Sequence, residues 1–158
     1  MTGILKDKYF YLAEKLKKTF AKIEGLSMTT DIWTDTINTK SYLGLTAYYI
    51  EENDIKTAIL GVHELDSNHT SDNVQLWILE MLNEWDLPTT KILAVIADGA
   101  ANIKSALTTI FGGSKVMHCF AHTLNLVVLR ALDNIKEVSE ILKKLKGIVT
   151  FFKHSECI

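Results

Sequence analysis

The chain has 158 residues, 47% of them hydrophobic, and a formal net charge of −2, with lysine-rich ends and an acidic centre. This supplies enough apolar material for one domain with a core, and the longest apolar runs fall well short of the roughly 20 residues that a membrane helix requires. Two cysteines, Cys119 and Cys157, are too few for a disulfide framework, so we expect a soluble intracellular protein with no membrane partner.

The first third of the chain predicts one helix followed by three strands. Residues 4–24 place apolar side chains at helical spacing, and a separate face carries four lysines, Lys8, Lys15, Lys18 and Lys22. This lysine face is either simply solvated or a contact surface for nucleic acid. Residues 26–34 are rich in threonine and β-branched side chains, and two further apolar segments, 41–50 and 55–64, flank a polar turn. An antiparallel meander of three strands is the simplest prediction.

The middle of the chain predicts a helix and then a buried strand. Thr70 and Ser71 are natural N-caps for a helix whose apolar positions from Val74 to Trp85 follow helical spacing closely. Pro88 ends this pattern. The run Lys91 to Ala97 is almost wholly apolar, which predicts a strand covered on both faces, and it leads directly into Asp98.

The remainder predicts a helix over 101–110, a short strand over 115–118 and two closing helices. The run from Cys119 to Leu132 is apolar nearly all round and predicts a buried helix, whereas residues 135–152 are amphipathic. The resulting order, α, β, β, β, α, β, α, β, α, α, predicts an α/β fold. Its mixed sheet has an antiparallel three-strand meander continued by two parallel strands and flanked by helices.

Two acids, Asp31 and Asp98, are the strongest candidates for chemistry. An Asp inside a β-strand is disfavoured, and a buried carboxylate costs free energy unless it is paired, hydrogen-bonded or bound to metal. If the first strand neighbours the buried strand, the two side chains can share Mg²⁺ or Mn²⁺ through their oxygens. The alternative is that Asp31 lies in water at the margin of the sheet and Asp98 caps the following helix.

A second candidate pair is Cys119 and His122, three residues apart on a predicted helix and therefore on one face. Structural zinc needs four ligands, and His118, His154 and Cys157 do not complete a recognisable spacing, so no zinc site is predicted. The alternative is a buried cysteine that packs as a small apolar residue beside a hydrogen-bonded histidine.

Six segments resemble the catalytic domain of hAT-superfamily transposases, including their domesticated BED-type zinc-finger relatives, and they occur in the family's order. They are TTDIWT (29–34), HTSDNV (69–74), NEWDL (83–87), VIADGAANI (95–103), HCFAHTLNL (118–126) and VTFFKHS (149–155). The resemblance implies an RNase H-like fold and cut-and-paste DNA transposition by three metal-binding carboxylates. It also implies DNA as partner, the nucleus as location, and a second copy bound through a C-terminal region outside this sequence.

The resemblance also assigns roles to residues. Asp31 matches the first catalytic, metal-binding carboxylate and Asp98 the second, with Mg²⁺ or Mn²⁺ as cofactor. Cys119 and His122 match a motif that supports the active site. The third acid of the family is a Glu that follows a large helical insertion, and the sequence ends at Ile158, about where that insertion should begin. Glu156 is in the wrong place for that role.

We therefore expect an N-terminal amphipathic helix over residues 1–25 and a partial RNase H-like hAT transposase domain over 26–158, without the insertion and the C-terminal part. Such a fragment or degenerate derivative carries two of three carboxylates, holds its cation weakly and is inactive alone. It is an enzyme only if a longer chain supplies the Glu. The alternative is a domesticated module that binds nucleic acid or protein through its end helices, without catalysis.

Overall fold

The computed structural model describes residues 3–35 and 37–155, with side chains as far as residue 152. Glu156, Cys157 and the side chain of His154, which entered the sequence analysis, lie outside the described residues. The chain forms two compact units, Met1–Cys119 and Phe120–Ile158. None of the described helices is both long and apolar enough to cross a membrane.

The first unit contains a five-stranded sheet in the order β3-β2-β1-β4-β5. Its strands are β1 (Leu26–Asp35), β2 (Lys40–Glu51), β3 (Asp54–Leu65), β4 (Ile92–Ala97) and β5 (Val116–His118). Strands β1, β2 and β3 pair antiparallel, whereas β4 pairs parallel with both β1 and β5. The predicted α/β fold, a three-strand meander continued by two parallel strands, is confirmed.

Three helices pack against one face of this sheet, which we call the inner face, and the first of them does so only from Ala13 onward. They are α1 (Gly3–Lys22), α2 (Ser71–Glu84) and α3 (Ala101–Phe111). Strands β3, β4 and β5 run in the same direction, and the crossovers through α2 and α3 both advance the same way along the sheet. Right-handed crossovers therefore bring both helices to the same face. One continuous apolar core results, and it includes Phe20 of α1, Ile78 of α2 and Leu107 of α3.

The opposite, outer face of the sheet is largely open, which corrects the prediction for β4. That strand was expected to be covered on both faces, but only three of its side chains are buried, those of Ile92, Val95 and Ala97, and Ile96 is half-buried. Leu93 is 61% exposed. The reason is that both crossovers share one handedness and direction, so they leave no helix of this unit on the outer face.

The second unit consists of two helices, α4 (Phe120–Asn134) and α5 (Lys136–Ser155), separated by Ile135 alone. The prediction that α4 is buried is wrong, since none of its side chains is buried. Within this unit α4 has one neighbour, α5, and a single helix cannot cover every side of a helix that is apolar nearly all round. Large apolar side chains on both helices, such as Phe120 and Phe152, are more than half exposed.

Two contacts stabilise the ends of helices on the inner face. Thr70 is the N-cap of α2, as predicted, and its side chain accepts a hydrogen bond from the backbone N–H of Asn73. The ammonium of Lys91 donates to the carbonyls of Phe20 and Ala21 at 2.7 and 2.8 Å. These carbonyls belong to the last turn of α1, where a cation compensates acceptors that have no partner within the helix.

A β-bulge in β3 is stabilised by Trp85. The β2–β3 register shifts between Leu45 and Thr46, which pair with Gly61 and Ile59, so Leu60 has no opposite residue. The indole N–H of Trp85 donates to the Leu60 carbonyl at 2.6 Å in the buried core. Because the bulge disrupts the strand ladder, this side chain supplies the bond that the carbonyl otherwise lacks.

Trp85→Phe should therefore lower the free energy of unfolding by about 1–3 kcal/mol, the usual cost of leaving a buried acceptor without its donor. The measurement is urea unfolding at constant m-value. Trp77→Phe is the matched control for lost ring volume, since both indoles are 6% exposed. A loss no greater than in the control would contradict the role given to the hydrogen bond.

Candidate functional site

The pairing of β1 with β4 positions the two candidate acids. The last paired residues of these parallel strands are Thr29 and Ile96. Asp31 follows Thr29 by two residues, and Asp98 follows Ile96 by two residues. Asp98 therefore lies just beyond the carboxyl end of β4, where open α/β folds commonly bind ligands. Asp31 lies in the middle of β1, just after the point where its pairing with β4 ends.

Asp31 lies on the outer face and is exposed, so the argument that a buried carboxylate needs a partner does not apply to it. Strand alternation explains this position, because its neighbour Thr30 points inward and is 4% exposed. The Thr30 hydroxyl donates to the carbonyl of Gly44 at 3.0 Å. Gly44 is also the residue directly opposite Asp31 on β2. Gly44 itself therefore places no side chain beside the Asp31 carboxylate.

Asp98 is half-buried in the turn between β4 and α3. Its Oδ1 accepts a hydrogen bond from the backbone N–H of Ala100 at 3.3 Å. Ala100 is the N-cap residue of α3 and has no capping side chain of its own. A carboxylate offers about four acceptor sites, so this contact fixes the turn and still leaves oxygens for a cation.

The turn after Asp98 is tied to the segment that precedes α2. The side-chain amide of Asn102 donates to the carbonyl of His69 at 2.6 Å. The His69 ring in turn meets Trp77 edge-to-face at 6.5 Å between centroids. Sequence reasoning missed this link, although both partners lie in segments that carried the resemblance, because nothing local indicates that the two segments meet.

Contrary to the prediction, Cys119 does not lie within a helix, although it directly precedes one. Helix α4 begins at Phe120, so Cys119 precedes it. The backbone N–H of Cys119 donates to the Ala97 carbonyl at 2.7 Å, which extends the β4–β5 ladder to the residue before Asp98. Cys119 is half-buried, whereas His122 is exposed on α4. The structure therefore brings Cys119, through its backbone, to the strand end that carries Asp98.

The ligand chemistry of Asp31 and Asp98 suits a hard divalent cation. Mg²⁺ is commonly held by one or two carboxylates together with waters and substrate phosphates, so two aspartates can form such a site. Within residues 3–35 and 37–155, no group of three or more His, Cys, Asp or Glu side chains could hold a metal ion together. Among the described residues, the candidate site thus rests on two aspartates.

An aromatic pair beside Asp31 also escaped sequence reasoning. Trp33 of β1 and Tyr42 of β2 are directly opposite each other and stacked, with centroids 5.7 Å apart and an interplanar angle of 28°. Trp33 is 41% exposed. A Cβ added to Gly44 would be 3.0 Å from the Trp33 ring, so glycine allows the indole to lie over β2. The indole therefore reaches the residue opposite Asp31.

The connection after β1 is fixed by Asp35. Its carboxylate accepts hydrogen bonds from the backbone N–H of Ile37 at 2.9 Å and from the Asn38 amide at 2.7 Å. These bonds stabilise the ionised form and lower the pKa of Asp35 below its ordinary value. Across the adjoining strands, Lys40 pairs with Glu64 at 2.6 Å, which raises the pKa of the lysine. Both contacts hold the hairpin end that carries Trp33.

Comparison with known proteins identifies two relatives. The chain is 29% identical over 118 residues to the transposable element Hobo transposase of Drosophila melanogaster. The aligned segment covers 74% of this chain and 18% of that protein. It is 24% identical over 132 residues to human zinc finger BED domain-containing protein 4, covering 78% of this chain and 11% of that protein. The chain thus spans less than a fifth of the length of either relative.

The family model of the ZBED1 RNase-like domain matches residues 29–122, which is more than half of the chain. The matched segment begins two residues before Asp31, includes Asp98 and ends at His122. Together with the mixed five-stranded sheet, this match means that the chain belongs to the ZBED1 RNase-like domain family, a group of domains related to hAT transposases.

Proposed function

We propose that Asp31 and Asp98 hold a divalent cation, Mg²⁺ or Mn²⁺, as part of a DNA phosphodiester site of the hAT-transposase type. The observation that carries the proposal is the register of β1 and β4, whose last paired residues are each followed two positions later by one of the acids. Two carboxylates on neighbouring strands repel each other, and a cation shared between them relieves that repulsion.

Each residue has a distinct part in this proposal. Asp31 binds and orients the cation from the middle of β1 and Asp98 from the end of β4, and Asn102 holds the turn after Asp98 in place through the His69 carbonyl. When bound, divalent cations in such sites activate a water or sugar hydroxyl and stabilise the leaving oxygen during in-line attack on phosphorus. Cys119 lies beside the Asp98 strand end through its bond to Ala97 and supports the site sterically.

The pair of acids supplies two of the three carboxylates that the resemblance leads us to expect, and no described residue is assigned as the third. We therefore propose that this chain alone binds the cation weakly and does not cleave DNA, because cleavage requires the complete metal geometry. Action on DNA would place the protein in the nucleus. The name of the Hobo relative supports a link to transposition.

Mn²⁺ should raise the melting temperature of the chain, and Asp31→Asn or Asp98→Asn should abolish the shift. For a weak site filled at ten times its Kd the folded state gains about 1.4 kcal/mol, which corresponds to about 3–6 °C for a domain of this size. Differential scanning fluorimetry with increasing Mn²⁺ measures this shift.

Glu80→Gln is the matched control, since Glu80 is an exposed acid on α2. This variant should respond to Mn²⁺ like the wild type. An equal shift in all four proteins would mean that the ion binds elsewhere, and the absence of a shift in the wild type at millimolar Mn²⁺ would refute the cation pair.

A second function, nucleic-acid binding without catalysis, is favoured by the lysine face of α1. All four lysines of this face are exposed along one helix: Lys8, Lys15, Lys18 and Lys22. Phosphate contacts from lysines release counterions, so binding of this kind weakens steeply as salt is raised.

Replacing the four lysines of this face with glutamine should weaken duplex DNA binding and reduce the salt dependence. Each lost contact should lower the slope of log K against log salt by about 0.9. Fluorescence anisotropy at several salt concentrations provides the measurement. Glutamine at Lys40 and Lys56 is the control, since these lysines are already paired with Glu64 and Asp54. Unchanged binding by the fourfold variant would exclude this face.

A further inference from the structure

We propose that Trp33 and Tyr42 form a stacking platform for an unpaired nucleobase of a DNA strand bound at Asp31 and Asp98. This inference rests on the proposed function, because it concerns the substrate of the same site. The platform would add a base-binding element to the metal-binding carboxylates and their supporting residues.

The first argument is position. The six-membered ring of Trp33 lies 3.0 Å from where a Cβ of Gly44 would be, and Gly44 pairs directly with Asp31. Directly opposed residues on antiparallel strands have Cα atoms about 4.5–5.5 Å apart. The indole therefore lies within one strand spacing of the first carboxylate. A phosphate held at the carboxylates by a cation would have its neighbouring bases within reach of this ring.

The second argument is exposure. Trp77 and Trp85 are each 6% exposed, whereas Trp33 is 41% exposed on the open outer face. Trp33 and Asp31 are two residues apart on one strand, so both side chains point to the same face. Exposed aromatic side chains can stack with any base of a single strand, since every base has a π-face.

The third argument concerns which occupant fits the charges. Asp31, Asp35 and Glu64 surround the aromatic pair, and Glu64 is paired with Lys40. Such a surface repels a bare polyanion, so a nucleic acid strand would approach it through the cation at the carboxylates and the stacking of its bases. Bases in a duplex have their faces covered by neighbours, so the fitting occupant is an unpaired or extruded base.

The test uses the tryptophans themselves. A short single-stranded oligonucleotide is added to the whole chain in Mg²⁺ at low salt, and the same titration is repeated with an abasic oligonucleotide of equal length. We expect the emission of Trp33 to be quenched by the base-containing strand and to change little with the abasic strand. The other two tryptophans are buried and should contribute a constant background.

Variants separate stacking from a purely structural role of the pair. Trp33→Ala should weaken oligonucleotide binding by about 5- to 150-fold, the range found for loss of one base-stacking aromatic. Trp33→Phe should keep most of the binding while losing the emission response. It replaces the alanine variant if circular dichroism shows that Trp33→Ala does not fold. Tyr48→Ala is the control, because Tyr48 is an exposed aromatic on the same face of β2, opposite Ser27 rather than beside Asp31.

Several results would overturn the platform: no oligonucleotide binding, equal responses to the abasic strand, or wild-type affinity in folded Trp33→Ala. In that case the stack serves only to stabilise the hairpin. The Mn²⁺ shift and its loss in Asp98→Asn are measured without DNA, so the proposed function can stand when the platform fails. Base-dependent quenching without any Mn²⁺ shift would refute the cation pair, and with it a platform for a strand bound at Asp31 and Asp98.

Discussion

Parallel pairing between β1 and β4 is the constraint on which the rest of the structure depends. It requires the chain to cross from β3 at one edge of the sheet to the far side of β1, and α2 provides that crossover. A right-handed crossover places α2 on the inner face, and the next crossover adds α3 beside it. The same pairing places Asp31 and Asp98 each two residues beyond its last paired position. One choice of strand partner therefore determines both the core and the site.

The two faces of the sheet consequently have different roles. The inner face holds the apolar core, where Met28, Leu45 and Val95 are fully or almost fully buried. The outer face carries Asp31, Trp33 and Tyr42 near the carboxyl end of β1. Because the outer face has no helix of its unit across it, polar and aromatic side chains there remain accessible to a ligand. The open face that invalidated the burial argument for Asp31 is thus what makes that residue available.

Most of the fold could be predicted from the sequence because its signals are local. Threonine-rich and alternating segments predicted β1 to β3, and helical spacing with Thr70 as N-cap predicted α2. The burial of individual strands and helices was predicted less well. The apolar runs of β4 and α4 suggested full burial, but burial depends on what packs against an element, and crossover direction decides that for β4.

The site was predictable only in part for the same reason. Asp31 and Asp98 were singled out from local context and from the resemblance, and their proximity required only that two strands be neighbours. The Asn102–His69 bond and the Trp33–Tyr42 stack join segments whose contact depends on strand register and loop path. Gly44 illustrates the limit, since a glycine within a strand indicates a close approach but does not name the side chain that makes it.

The central claim is that two distant acids share one cation, and a crystal structure with Mn²⁺ tests it most directly. Anomalous scattering identifies the ion independently of the interpretation of nearby density. We predict one anomalous peak beside the carboxyl end of β4, within coordinating distance of an oxygen from Asp31 and an oxygen from Asp98. A peak at only one of them, or none at either when the crystal contains millimolar Mn²⁺, would contradict the account.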